Sequence, residues 1–223
     1  MFTQNDAQKI NNLKSLASSI AHETRNPLSA IKGCCDIIRE NLNQAAEFLD
    51  LIDVSSSRGL MIVDMILANV REGEIDKSKF VDLSISDVVN SAIKEYAFES
   101  EEEKKLVDVK DFGNNDFIFK GDETMAVFIL FNLLKNSLYY KAKIDIWLEK
   151  TEGHNLLHFK DYGVGIDNDK IESIFDSFFT SDKKGGTGLG LPFCRRIMKA
   201  FGGDINCKSV KDEYAKFTLE FPA

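Results

Sequence analysis

Two runs of residues spaced alternately four and three apart constrain this chain more than anything else in it. The first is Leu13, Ala17, Ile20, Thr24, Pro27, Ile31, Cys34 and Ile38; the second is Ala45, Leu49, Ile52, Ser56, Gly59, Val63, Ile66 and Val70. Heptad seams of this kind bury one stripe of a long helix against partner helices. They predict one helix from about Ala7 to Asn41, bent at Pro27, and a second from Gln44 to Val70. The short connection makes an antiparallel hairpin, and one hairpin cannot cover both of its apolar stripes. Two hairpins can, so the spacing predicts a homodimer around a four-helix bundle.

His22 lies two positions from both Ile20 and Thr24. At about 100° per residue that is roughly 200° from the seam, so the imidazole is expected to face water. A lone surface histidine is ordinarily unremarkable. Here Glu23 follows at once and Asn26 shares the face one turn on, which puts a nucleophile, a possible base and a polar amide together.

A chain of 223 residues has room for one or two domains. Its net charge of −8 argues against nucleic acid as a partner, because phosphate backbones are held by clustered Lys and Arg. Cys34, Cys35, Cys194 and Cys207 form no CxxC pair and fit a reduced, cytoplasmic setting. No apolar run approaches the roughly 20 residues needed to span a bilayer, and Met1 to Asn12 is too polar for a signal peptide. Membrane contact is therefore expected only through a sensing region absent from this chain.

Arg71 to Lys79 is polar and aperiodic, which marks a linker. The expected organisation is a helical hairpin over 1–72, a linker over 73–79 and a second domain over 80–223. In that domain Phe80 to Leu83 reads as extended, and Ser84 with Asp87 opens a helix to about Phe98. Strands follow at Leu106 to Val109 and Phe117 to Phe119, and Asp122 caps a helix to about Tyr139. Strands at Lys143 to Glu149 and Leu156 to Lys160, a helix near Leu189 to Phe201, and strands at Asp204 to Ser209 and Ala215 to Phe221 complete it. Without regular βαβ units this is an α+β sandwich with helices on one face.

Four patches of the second domain carry chemistry. Asn132 and Asn136 share a helical face amid apolar neighbours, where their oxygens suit a hard cation such as Mg²⁺ or cap nearby backbone. Asp161-Tyr162-Gly163-Val164-Gly165-Ile166 follows a strand; its glycines admit a flat ligand and Asp161 can accept from an exocyclic amine. Ile174 to Thr180 is an apolar anchor ahead of the polar Ser181 to Gly185, the pattern of a lid. Gly186-Thr187-Gly188-Leu189-Gly190-Leu191 opens a helix and suits a polyphosphate.

His22-Glu23-x-x-Asn26-Pro27-Leu28 resembles the phosphoacceptor box of the sensor histidine kinases of two-component systems, and the four patches resemble the N, G1, F and G2 boxes of the GHKL ATPase domain. The resemblance implies a dimeric four-helix bundle followed by a GHKL (Bergerat) α/β sandwich. It implies that His22 is phosphorylated from ATP, with Glu23 as base, and that the phosphoryl group passes to an aspartate of a response-regulator receiver domain. Asn26 matches the position that orients water for dephosphorylating the regulator. Asn136 becomes the Mg²⁺ ligand and Asp161 the adenine reader. Asn132 and Tyr140 line the pocket, and Gly163, Gly165, Gly186, Thr187, Gly188, Leu189 and Gly190 belong to the nucleotide loops.

Three positions depart from the family pattern. Tyr139 stands where many members have Lys, and Thr180 where many have Arg, which assigns the phosphate charge to Lys183 or Lys184 in the lid. Thr24 replaces an aliphatic residue. The Phe178-Phe179-Thr180-Ser181 lid is similar to the FFTT type of some nitrogen-regulation and quorum-sensing kinases. Two other classes use the same motifs: a chaperone-like or repair-like GHKL ATPase without phosphohistidine, and a nonenzymatic dimeric scaffold.

Overall fold

The structure is a computed structural model that describes residues 21, 24–70, 75–180 and 188–223. It divides into two compact units, Met1–Glu72 with Ser177–Leu189 and Gly73–Asp176 with Gly190–Ala223.

In the first unit a helix covers residues 24–40 (α1) and a second covers Ala45–Val70 (α2). Asn41 takes an extended conformation, its side chain accepts from the Asn43 N–H at 3.1 Å, and the single turn Leu42–Gln44 reverses the chain. An Asx turn of this kind supplies the bond that a continuing helix would have made. The helices pack antiparallel: a Cβ on Gly59 would lie 3.6 Å from Pro27 Cγ. Over the described residues the first seam is covered as its spacing predicts, with Pro27 and Cys34 buried and Thr24, Ile31 and Ile38 half-buried, while Leu13, Ala17 and Ile20 lie outside the described residues.

Within one chain the second seam is covered only in part. Among the α2 side chains described, the covered positions are Ala45, Phe48, Ile52, Val54, Ser55, Gly59 and Ile62, while Leu49 is 53% exposed, Val63 is 43% exposed and Ser56 faces solvent. The seam and the covered set share Ala45, Ile52 and Gly59. One neighbouring helix covers only a narrow stripe, so the i+3 set is buried and the i+4 set is left outside. Leu60 and Leu42 are exposed too.

The second unit is a sheet with helices on one face. Val81–Ser84 (β1) and Ile118–Gly121 (β3) form a separate antiparallel pair. The main sheet takes the order β2-β4-β5-β7-β6, with β2 (Val107–Val109) parallel to β4 (Ile144–Lys150) and the rest antiparallel. The remaining strands are β5 (His154–Asp161), β6 (Asp204–Val210) and β7 (Tyr214–Pro222). Alternation sets the faces. Ile146, Phe159 and Phe217 lie in register on the inner side, against Leu133 and Leu134 of α5 (Glu123–Leu138) and Phe193 and Ile197 of α6 (Gly190–Ala200).

Local chemistry starts two of the helices where the sequence predicts. Ser84 Oγ accepts from the Asp87 N–H at 3.2 Å to open α3 (Ile85–Glu95), and Asp122 Oδ1 accepts from the Met125 N–H at 3.0 Å to open α5. Such caps are worth about 1 kcal/mol each. Helix α3 ends at Glu95 rather than near Phe98, because Tyr96 turns extended and its ring packs on Phe98 and Phe131 at 4.8 and 5.5 Å. The four-residue helix α4 (Glu101–Lys104), capped by Ser100, has too few residues to show a period. On the open face of the sheet His158 is buried against Trp147, bonded to Thr218 Oγ1 at 3.0 Å and Glu149 Oε2 at 2.9 Å; burial holds its pKa below the usual value.

Candidate functional site

The sequence places two centres on the chain, and the structure describes part of each. His22 and Glu23 lie outside the described residues. Asn26, one helical turn on, sits on the exposed face of α1, while its neighbour Pro27 is buried on the hairpin side. Position 26 therefore projects away from the intrachain packing, as the seam argument requires of that face.

In the second unit α5 and α6 bring two of the proposed nucleotide residues into contact. Asn132 Nδ2 donates to the Phe128 carbonyl at 3.1 Å, one turn back. This fixes the amide and turns Oδ1 toward the first residue of α6: a Cβ on Gly190 would meet that oxygen at 2.2 Å. Gly190 is thus required by close approach. Asn136 follows Asn132 by one turn on the same half-buried side. Leu189, just before α6, is buried.

Asp161 ends β5 with only 8% of its surface exposed. Its Oδ2 accepts from the Ser137 hydroxyl at 3.0 Å and its Oδ1 from the Gly163 N–H at 3.1 Å. Burial raises its pKa above the ordinary value, and the two hydrogen bonds oppose the rise without cancelling it. The same burial, with the Asp161 charge added, pushes the Cys207 thiol of β6 up to about 12. Each carboxylate oxygen keeps a lone pair beyond the bond it makes. A Cβ on Gly163 would stand 2.9 Å from Asp161 Oδ1 and 3.9 Å from Tyr140 Cβ, so glycine, carboxylate and the base of the tyrosine side chain meet at one point; Tyr140 itself is exposed.

Gly165 has φ +60, and a Cβ there would come within 2.2 Å of the Val210 carbonyl oxygen. The turn is also held by β4 and the residue that precedes it. The Tyr162 N–H donates to the Lys143 carbonyl at 2.9 Å, and the Tyr162 hydroxyl donates to Asp145 Oδ2 at 3.0 Å. Among the residues that sequence reasoning missed, Ser137 and Asp145 have one visible signal each. Ser137 is a small polar residue inside an apolar helix, and Asp145 is a charge in an alternating strand.

Described by itself, the segment beyond the F patch is closed by the Phe178 N–H donating to the Gly188 carbonyl at 2.8 Å. Phe178 has φ 71 and Gly188 φ 64, and a Cβ on Gly188 would lie 2.6 Å from the Phe178 carbonyl carbon. Thr180 is exposed. Lys183, Lys184, Gly186 and Thr187 lie outside the described residues. Among the described residues no group of three or more His, Cys, Asp or Glu could hold a metal ion. No helix among the described residues is long and apolar enough to cross a membrane.

Two family models match the chain. Residues 12–73 match the His Kinase A (phospho-acceptor) domain family, and residues 121–223 match the histidine kinase-, DNA gyrase B- and HSP90-like ATPase family. The chain is 36% identical to the CAI-1 autoinducer sensor kinase/phosphatase CqsS of Vibrio cholerae, over 96% of this chain and 34% of that protein. It is 34% identical to the autoinducer 1 sensor kinase/phosphatase LuxN of Vibrio campbellii, over 96% of this chain and 26% of that one. The chain thus spans about a third or less of these relatives. Among solved structures, the nucleotide-free catalytic domain of the histidine kinase ThkA covers 65% of this chain and 95% of its own, at 28% identity and a TM-score of 0.55. Full-length ShkA in complex with AMPPNP shares the fold over 94% of this chain and 45% of its own, at 20% identity and a TM-score of 0.59. The chain therefore belongs to the sensor histidine kinases, with a phospho-acceptor region followed by the ATPase domain that this family shares with DNA gyrase B and HSP90.

Proposed function

We propose that this chain is a kinase core that phosphorylates its own His22 from ATP and passes the phosphoryl group to an aspartate on a response-regulator receiver domain. The observation that carries the reading is the buried Asp161 carboxylate, held by Ser137 and Gly163 in a glycine turn. That is a preorganised acceptor for the exocyclic amine of adenine, in a chain that carries the His22-Glu23-x-x-Asn26 box. In this reading the chain consists of a phosphotransfer hairpin over 1–72, a linker over 73–79 and a catalytic domain over 80–223, working on the cytoplasmic side where ATP is available.

In the reaction a neutral His22 ring nitrogen attacks the γ-phosphorus in line, the bond from phosphorus to the bridging oxygen breaks, and ADP leaves. Glu23 accepts the proton that the imidazole releases. The Asn136 amide oxygen, a hard neutral donor, would hold Mg²⁺ together with the phosphates and water, and the ion would offset phosphate charge. Lys183 and Lys184 add positive charge, and Asn132, Tyr140, Thr180 and the turns at Gly163, Gly165, Gly186, Thr187, Gly188, Leu189 and Gly190 shape the site. Radiolabelled ATP should leave an acid-labile label on the protein. ATP hydrolysis with no label would make the protein an ATPase of another branch, and a label stable in acid would place the phosphoryl group on a hydroxyl side chain instead of His22.

Asn26 serves the reverse step by orienting the water that attacks the regulator's phosphoaspartate. CqsS and LuxN are named as kinase/phosphatases, and the exposed position of Asn26 fits such a role here. Asn26→Ala is expected to label as fast as the parent while regulator dephosphorylation falls about 10²-fold, the scale of a lost positioning contact. Equal loss of both activities would remove this role.

The exposed residues Leu49 and Val63 supply the second stripe of a dimeric four-helix bundle. Leu49→Glu combined with Val63→Glu buries two charges in that interface. Light scattering is expected to show a dimer for the parent and a monomer for the double variant; an unchanged dimer would place the interface elsewhere.

A further inference from the structure

We propose that Ser209 is a positioning residue for the nucleotide site: its hydroxyl locks the 163–166 turn to the β6–β7 hairpin, and the lock sets nucleotide affinity. The inference rests on reading Asp161 and that turn as the adenine-binding element.

The turn is held at both ends. At its start Asp161 Oδ1 accepts from the Gly163 N–H at 3.1 Å. At its end the Ile166 N–H donates to Ser209 Oγ at 2.7 Å, and the Ser209 hydroxyl donates in turn to the Tyr214 carbonyl at 2.6 Å. Ser209 is buried on the inner side of β6, in the register row Asp161–Ala215–Ser209 that runs across β5, β7 and β6. One hydroxyl thus joins the turn to both strands of the hairpin, and removing it leaves a part-buried donor and a part-buried acceptor without this partner.

The other ties between turn and hairpin cannot replace it. The Asp212 N–H donates to the Val164 carbonyl at 2.8 Å, and Gly165 lies so close to Val210 that a methyl group has no room. Both are backbone contacts that depend on the turn already being seated. Lys211 pairs with Asp167 at 2.6 Å, but the lysine side chain is 62% exposed, and surface pairs contribute little. Ser209 therefore holds the far end of a turn whose near end carries the adenine acceptor, and it touches no nucleotide itself.

The test compares the whole chain with Ser209→Ala, Ser209→Thr and Lys211→Ala. Each is measured for ATP affinity, for the Michaelis constant and maximal rate of labelling, and for hydrogen exchange at the Ile166 amide. Ser209→Ala is expected to bind ATP about tenfold more weakly, with the Michaelis constant raised, the rate at saturating ATP nearly unchanged and Ile166 exchange accelerated. Ser209→Thr keeps the hydroxyl and should recover affinity; Lys211→Ala should match the parent. If Ser209→Ala fails to fold, Ser209→Cys takes its place, since a thiol is only a weak acceptor. Parental affinity with fast Ile166 exchange overturns the positioning role, as does a loss of maximal rate alone. A parent chain that binds no ATP overturns the underlying reading of the site instead, and the inference with it.

Discussion

His22→Gln should bind adenine nucleotide as the parent does and take up no acid-labile phosphoryl group. The nucleotide contacts proposed here come from α5, the turn after β5 and the start of α6, none of which includes position 22. Glutamine keeps the polarity and reach of the imidazole but offers an amide nitrogen whose lone pair is delocalised, so no N–P bond forms. The expected split is complete loss of label with an undiminished ATP-induced rise in melting temperature, because ligand binding to the folded state stabilises it independently of turnover. Glu23→Gln should behave differently: a lost base slows transfer by about 10²-fold to 10⁴-fold without abolishing it. Label persisting in His22→Gln would place the acceptor on another side chain and dissolve the link between the N-terminal box and the ATPase domain.

What the sequence made legible was whatever is encoded within a few residues. The Asp122 cap is three residues from the N–H it bonds, and the alternation of Ile144, Ile146 and Leu148 shows their shared face directly. The first seam was readable because every α1 contact repeats at the helical period. The second is less legible: Leu49 and Phe48 are equally apolar, and only the neighbouring helix decides that Phe48 is covered within one chain while Leu49 is left outside. The nucleotide site divides in the same way. Asp161, Gly163, Gly165 and Gly190 stand in compact motifs, whereas Ser137 bonds a residue 24 positions away and Ser209 one 43 positions away. No local pattern marks a serine whose partner arrives only with the tertiary fold. The early end of α3 is a further instance, because Tyr96 leaves the helix for rings at Phe98 and Phe131, the second of them on another element.

Asp161→Asn should separate stability from function. Burial sets the Asp161 pKa above its ordinary 3.8, so the fold favours the protonated carboxyl. That contribution is fully present below the unfolded value and is lost as pH rises through the folded one; at neutral pH the ionised group costs stability. Asparagine carries no charge and keeps both partners: its Oδ1 accepts from the Gly163 N–H, and its Nδ2 donates to Ser137 Oγ, whose proton turns elsewhere. The nucleotide-free variant should therefore melt at or above the parent's temperature at pH 7, with the gap closing as pH falls through the raised folded pKa toward 3.8. Binding should move the opposite way. Adenine's exocyclic amine would meet the Nδ2 donor in place of an acceptor, and sites built around one hydrogen bond reject the mismatched group strongly, by 10⁴-fold or more at the upper end. An expected loss of at least about 10²-fold in ATP affinity removes the ATP-induced rise in melting temperature at concentrations that saturate the parent. If Asp161→Asn retains that rise, the base is read by some other group, and the buried carboxylate is a structural charge with no ligand of its own.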